Sequence, residues 1–148
     1  FWTGVNGSLG AEPRMFAIGG RPGAAKDACR AAIHIHKAVL EAARPGVAVG
    51  ELYELSVSRA RQLGYADPFL GPPGYKVTFI GHGVGLELVE PPYIAKGRND
   101  LLMPGMTIAL EPKMVFENQY SAGIESMFVV TETGAELISE VPVDIFIC

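Results

Sequence analysis

Cysteine is scarce. Cys29, inside a helical pattern, and Cys148, at the last position, are the two in 148 residues. They supply no disulfide framework, so a reducing, cytoplasmic setting is the default expectation. Basic residues are outnumbered, 12 against 16 acidic ones, for a net charge of -4. Without a basic patch to neutralise phosphates, nucleic acid is not an expected partner. No apolar run reaches bilayer-spanning length and the first residues do not have the pattern of a secretion signal, so no membrane association is expected. Phe1-Trp-Thr is not a natural start, and the chain is read as a piece of a longer protein.

What the chain does have is apolar content, 49% of residues, enough for a globular core. Its length suits one domain covering 1–148. Residues 24–43 carry Ala28, Ala32, Ile35, Val39 and Ala42 at spacings of three and four, which predicts a helix with one apolar face. His34 and His36 point to different sides of it and are read as surface histidines. Pro45-Gly46 ends this helix. A second is predicted over 49–63, with Leu52, Leu55, Arg59, Ala60 and Leu63 on one stripe and Gly64 as its stop. Before the helices, residues 1–20 read as a hairpin or strand leading into a turn at 19–23.

The last third reads as successive strands over 106–110, 115–118, 123–131 and 135–138, with a short one over 143–148. Ahead of them, Phe79-Ile-Gly-His-Gly-Val-Gly reads as a buried strand that delivers His82 to a cavity, closed by a Glu-Pro-Pro stop. The glycines allow backbone to crowd a ligand there. Glu111 falls at the end of one apolar strand and Glu125 inside another. A carboxylate among apolar residues is costly unless a cation compensates it. One imidazole and two carboxylates on three strands suit a divalent transition metal. Two helices on one face of a mostly antiparallel sheet give an α+β fold class.

The ordered motifs G-H-G-x-G-L-E-x-x-E-P-P-Y, P-G-M-x-x-x-x-E-P and G-I-E-x-x-x-x-V-T-E-x-G-A-E, at Gly81, Pro104 and Gly123, resemble the creatinase/methionine aminopeptidase family. Within it, the Xaa-Pro branch of prolidase and aminopeptidase P looks closest. The resemblance runs from Arg14 to about Ser139. It implies the "pita-bread" fold, two similar αβ halves around a curved sheet, with this chain holding the end of the first half and all of the second. A sheet cut that way has an exposed edge, which a missing N-terminal segment or a second subunit (a homodimer) should cover.

The family holds two metal ions on two Asp, one His and two Glu. By resemblance, His82, Glu111 and Glu125 match three of these ligands, with Glu111 also the catalytic group that handles the proton. Gly10-Ala-Glu-Pro-Arg-Met-Phe16 matches the family's S-D-x-T-R-T-F, so Ala11 stands where the bridging aspartate belongs. Glu12 is one residue away, and on a strand it would face the other side. Family histidines that orient substrate are replaced by Thr78 and Val89, and a frequent arginine by Gly123. The expected pocket, lined by Thr78, Val89 and Ala11, is therefore more apolar than usual. At most one ion (manganese, zinc or cobalt) is expected, with none as the alternative.

Three functions follow from the resemblance. One is a metal-dependent Xaa-Pro peptidase with impaired or lost hydrolysis, acting on a small peptide. Another is a non-catalytic module that binds peptide or protein, for which a histone chaperone of the same fold family is a precedent. The third is hydrolysis of a different small molecule in the same pocket.

Overall fold

The computed structural model describes residues 2–5, 8–17, 23–138 and 140–147, with side chains described over 9–16 and from 23 onward. Strands β1 (Trp2–Val5) and β2 (Ser8–Ala11) form a hairpin, followed by β3 (Met15–Ala17). Helices α1 (Gly23–Ala42) and α2 (Val49–Gln62) come next. Then follow β4 (Phe79–Gly83), β5 (Glu90–Ala95), β6 (Thr107–Leu110), β7 (Lys113–Phe116), β8 (Tyr120–Gly123), β9 (Ser126–Val130), β10 (Ala135–Leu137) and β11 (Ile145–Ile147). The turn expected at 19–23 lies outside the described residues except for Gly23, which opens α1.

Helix α1 buries Ala28, Ala32, Ile35 and Val39 as the spacing predicts. Helix α2 ends in a left-handed glycine cap: Gly64, at φ 81°, donates its N–H to the Arg61 carbonyl, and Tyr65 N–H reaches Ala60 O at 2.8 Å. This pairing satisfies carbonyls that the helix end would otherwise leave open. The expected stripe is shifted, however. Val49, Leu52, Ser56 and Ala60 are buried while Leu63, past the last turn, is 38% exposed.

The central sheet has the order β10-β9-β6-β4-β5, antiparallel throughout. Strand β5 corrects one expectation. Glu90-Pro-Pro does not stop the chain but enters an edge strand, where prolines are tolerated because one side needs no N–H donors. Two further corrections concern the last third. Strand β7 begins at Lys113 rather than 115 and turns at Asn118 (φ 55°) into β8. Glu125 lies in the break between β8 and β9, not inside a strand.

Pairing aligns residues in rows across the sheet. Gly81, Leu110 and Ser126 form one row, His82, Ala109 and Met127 the next, and Gly83, Ile108 and Phe128 the third. Alternation sends consecutive rows to opposite faces. Leu110, Ile108 and Phe128 join Ile35, Val39 and Leu52 in the main core under the helices. Ala109 and Met127 instead form a small cluster with Val84 and Leu9 on the other face.

His36 is the largest departure from expectation. It is fully buried, with Nε2 at 2.7 Å from Ser126 Oγ on β9. Ser126 points toward the helices, so one side of α1 that the spacing left polar is in fact a polar anchor between layers. Burial, then the nearby Arg14 and Lys37 charges, lowers its pKa from 6.5 to about 4.

Two predictions follow from these packing facts. A Cβ at Gly83 would sit 2.5 Å from the Pro91 carbonyl oxygen, and backbone cannot yield as a side chain can. Gly83→Ala should destabilise the fold by about 1–3 kcal/mol in urea unfolding. For His36, the folded pKa lies below the unfolded one. As pH falls from 6.5 toward about 4 the unfolded chain takes up a proton that the native chain refuses, so stability falls through that window, by roughly 3 kcal/mol at most. Urea midpoints across this range should drop more steeply for the wild type than for His36→Gln, which can still bond Ser126; equal slopes would refute the assignment.

Candidate metal-type site

The second residue row places His82 on the sheet face away from the helices. Glu111 follows Leu110, whose side chain enters the core, and alternation carries Glu111 to the His82 face. The Glu111 N–H bonds Ile80 O at 2.8 Å, which continues the β4–β6 ladder past the strand end. Glu125 precedes the core-facing Ser126 and is likewise sent to the far face; its N–H reaches Pro13 O at 3.2 Å. Three separate strand ends therefore converge on one side of the sheet.

His82 is buried, its Nδ1 3.0 Å from the Gly83 carbonyl oxygen. A carbonyl only accepts, so Nδ1 carries the proton, and Nε2 is the atom that faces Glu111. Phe79 packs edge-on against the ring at 5.8 Å. Nε2 lies 3.7 Å from Glu111 Oε1, too far for a hydrogen bond. The other oxygen of Glu111, Oε2, accepts a bond from Lys113 Nζ at 2.7 Å. Burial, then the Glu111 carboxylate, raises the pKa of Glu125, with His82 and Lys113 pulling the other way.

The donor chemistry fits one divalent ion: an imidazole whose tautomer is set by a backbone carbonyl, as metal-binding histidines usually are, and two carboxylates short of positive charge. Ala11 is buried, and its N–H contacts Met127 Sδ at 3.3 Å, beside the site on the same face, with a methyl group that cannot ligate. As the side chains stand, no three His, Cys, Asp or Glu residues among those described are gathered tightly enough to hold an ion.

The other expected positions separate. Thr78 is exposed just before β4, and Val89 is 41% exposed just before β5. Among the described residues neither is enclosed. A concavity of about 500 Å³ lies elsewhere, between the start of α2 and Lys96–Arg98, and includes none of the three ligand candidates. The Glu12 carboxylate is engaged by Arg14 at 2.6 Å and by the Met127 N–H at 3.4 Å. His34 is exposed, as expected.

Two residues at this site were not singled out from sequence. Arg14, with a side chain only 3% exposed, donates to the carbonyls of Pro13, Glu125, Val141 and Pro142. It thereby ties the Glu125 backbone to the N-terminal strands. Lys113 stands two residues after Glu111, and that separation, which shares a side in extended chain, was the available signal. No helix among the described residues is long and apolar enough to cross a membrane.

The chain is 32% identical over 108 residues to the Xaa-Pro dipeptidase of Pyrococcus furiosus, covering 73% of this chain and 29% of that protein. It is 33% identical over 111 residues to a probable dipeptidase PepE of Mycobacterium bovis, covering 75% and 28%. The chain thus spans less than a third of either relative. Among solved structures, an X-Pro aminopeptidase from Thermotoga maritima superposes over 100% of this chain and 40% of its own, with a TM-score of 0.89 at 25% identity. Dipeptidase PepE from Mycobacterium ulcerans gives 0.86 at 29% identity, over 96% and 36%. The α+β layering, two helices over a mostly antiparallel sheet, is that of the C-terminal half of the pita-bread fold. The pattern of metallopeptidase family M24 matches residues 3–132, and the chain belongs to that family.

Proposed function

We propose that this chain is part of a metal-dependent Xaa-Pro peptidase whose two-ion chemistry is impaired or lost. On this reading His82, Glu111 and Glu125 hold one divalent ion (manganese, zinc or cobalt), and the substrate is a short peptide with proline in second place. The observation that supports it most is the pair formed by His82 Nε2 and Glu111 Oε1, 3.7 Å apart with no hydrogen bond between them. A bound ion would supply a water of lowered pKa. Around it, the Gly83 carbonyl would fix the imidazole, Arg14 would hold the Glu125 backbone in place, and Glu111 would handle the proton.

Impairment rests on Ala11 and on the exposure of Val89, which leave one carboxylate and one oxyanion partner fewer than the family pattern supplies. The extent of the domain, 1–148, and a second copy or an upstream segment covering the sheet edge belong to the same proposal. A second reading is favoured by the apolar cluster of Val84, Ala109 and Met127 beside the site. It would let the face bind a peptide, a protein segment or a different small ligand without cutting a peptide bond.

Calorimetric titration with Mn2+ and turnover of Xaa-Pro dipeptides separate the two. The expected outcome is one ion per chain at micromolar supply, weakened about tenfold or more by His82→Ala, and kcat below about 1 s⁻¹, under the usual enzyme range. Absence of ion binding at millimolar Mn2+ together with no turnover would leave the binding-module reading. An ordinary kcat would refute impairment.

A further inference from the structure

Glu111 is divided between two neighbours, one oxygen facing His82 and the other bonded to Lys113. The lysine reaches that oxygen because of what stands opposite it. Strand β7 pairs Lys113 with Gly123, and a Cβ at Gly123 would lie 2.7 Å from Lys113 Cβ. With no side chain there, Lys113 can leave its strand unobstructed. The ion pair is only partly open to solvent, at 31% for Lys113 and 18% for Glu111, so screening weakens it less than a surface pair.

Arg14, the other cation nearby, is committed to four carbonyls and to Glu12. Among the described residues, Lys113 is the cation that pairs directly with a carboxylate of this face. A divalent ion beside Glu111 would meet that ammonium across a single carboxylate, and like charges so close repel.

We propose that Lys113 is a tethered cation that competes with a divalent metal ion for Glu111 and so sets the metal affinity of the site. Without metal, the ammonium neutralises Glu111. With metal, Lys113 must withdraw or share the carboxylate, and the ion binds less tightly than its three donors alone would allow. The proposal rests on the single-ion reading of His82, Glu111 and Glu125.

The test titrates Mn2+ into wild type, Lys113→Met, Lys113→Gln and Lys113→Arg, and follows thermal unfolding of each with and without the ion. Both neutral variants should bind Mn2+ about tenfold more tightly, a shift of roughly 1.4 kcal/mol. Without metal they should melt below wild type, and Mn2+ should restore them; Lys113→Arg should bind as wild type does. If Lys113→Met does not fold without metal, Lys113→Gln carries the comparison. Neutral variants that bind no tighter than a metal-binding wild type, or that melt early without rescue, overturn the proposal and leave the metal reading standing. Failure of every variant and of wild type to bind Mn2+ overturns both.

Discussion

The two-residue alternation of the antiparallel sheet is the constraint from which the rest follows. In the row His82, Ala109 and Met127 every side chain leaves the core, while the rows on either side send Leu110, Ser126, Ile108 and Phe128 into it. A one-residue slip of β4 against β6 would bury the imidazole under the helices and expose Ile80 or its neighbours. The core therefore fixes the register, and the register fixes the site. Helices α1 and α2 contribute no ligand candidate, yet by covering one face, where Ser126 meets His36, they leave the other to the carboxylates that follow or precede these strands.

Charge is the second constraint. Glu111 and Glu125 share the uncovered face, and burial together with mutual repulsion makes the charged form of Glu125 less favourable. Arg14 pairs with neither of these two carboxylates, since its guanidinium is engaged by carbonyls and by Glu12. It acts on position instead. By holding the Glu125 carbonyl and the carbonyls of Val141 and Pro142 at once, it joins three distant stretches of chain around one ligand candidate. Lys113 is the group that meets the charge, and it does so on the oxygen of Glu111 that His82 leaves free.

Much of this was legible in the sequence, for identifiable reasons. Helical spacing found α1 and the glycine found the end of α2, because both signals are local. That His82, Glu111 and Glu125 share the uncovered face follows from strand alternation; a ligand role for them comes from the family resemblance, since a polar residue beside an apolar run also has bland explanations. The polar side of α1 was misread at His36, since spacing cannot tell a solvent-facing histidine from one bonded to Ser126, 90 residues away in sequence. Strand β5 was missed because proline usually interrupts a strand, and only tertiary placement at the sheet edge makes it acceptable. Thr78 and Val89 were grouped with Ala11 by resemblance, which carries position along the chain but not enclosure, and in the structure they are exposed. A lysine near a strand start is common, and what sets Lys113 apart is the glycine across the hairpin.

The changed positions bear on chemistry through what each can still do. At Ala11 the backbone N–H meets the Met127 sulfur, and the alanine methyl offers no ligating atom where a carboxylate would. Met127 in turn belongs to the apolar cluster with Val84 and Ala109. On the proposed reading, affinity for an apolar side chain survives while the second anchor for charge does not. Binding needs only complementary surface, whereas acceleration needs interactions that strengthen as charge develops in the transition state. On the proposed reading, losing a ligand and an oxyanion partner removes the latter kind and spares the former. On that reading the substitutions leave an apolar surface beside one imidazole, and in the absence of an ion the tethered ammonium neutralises Glu111.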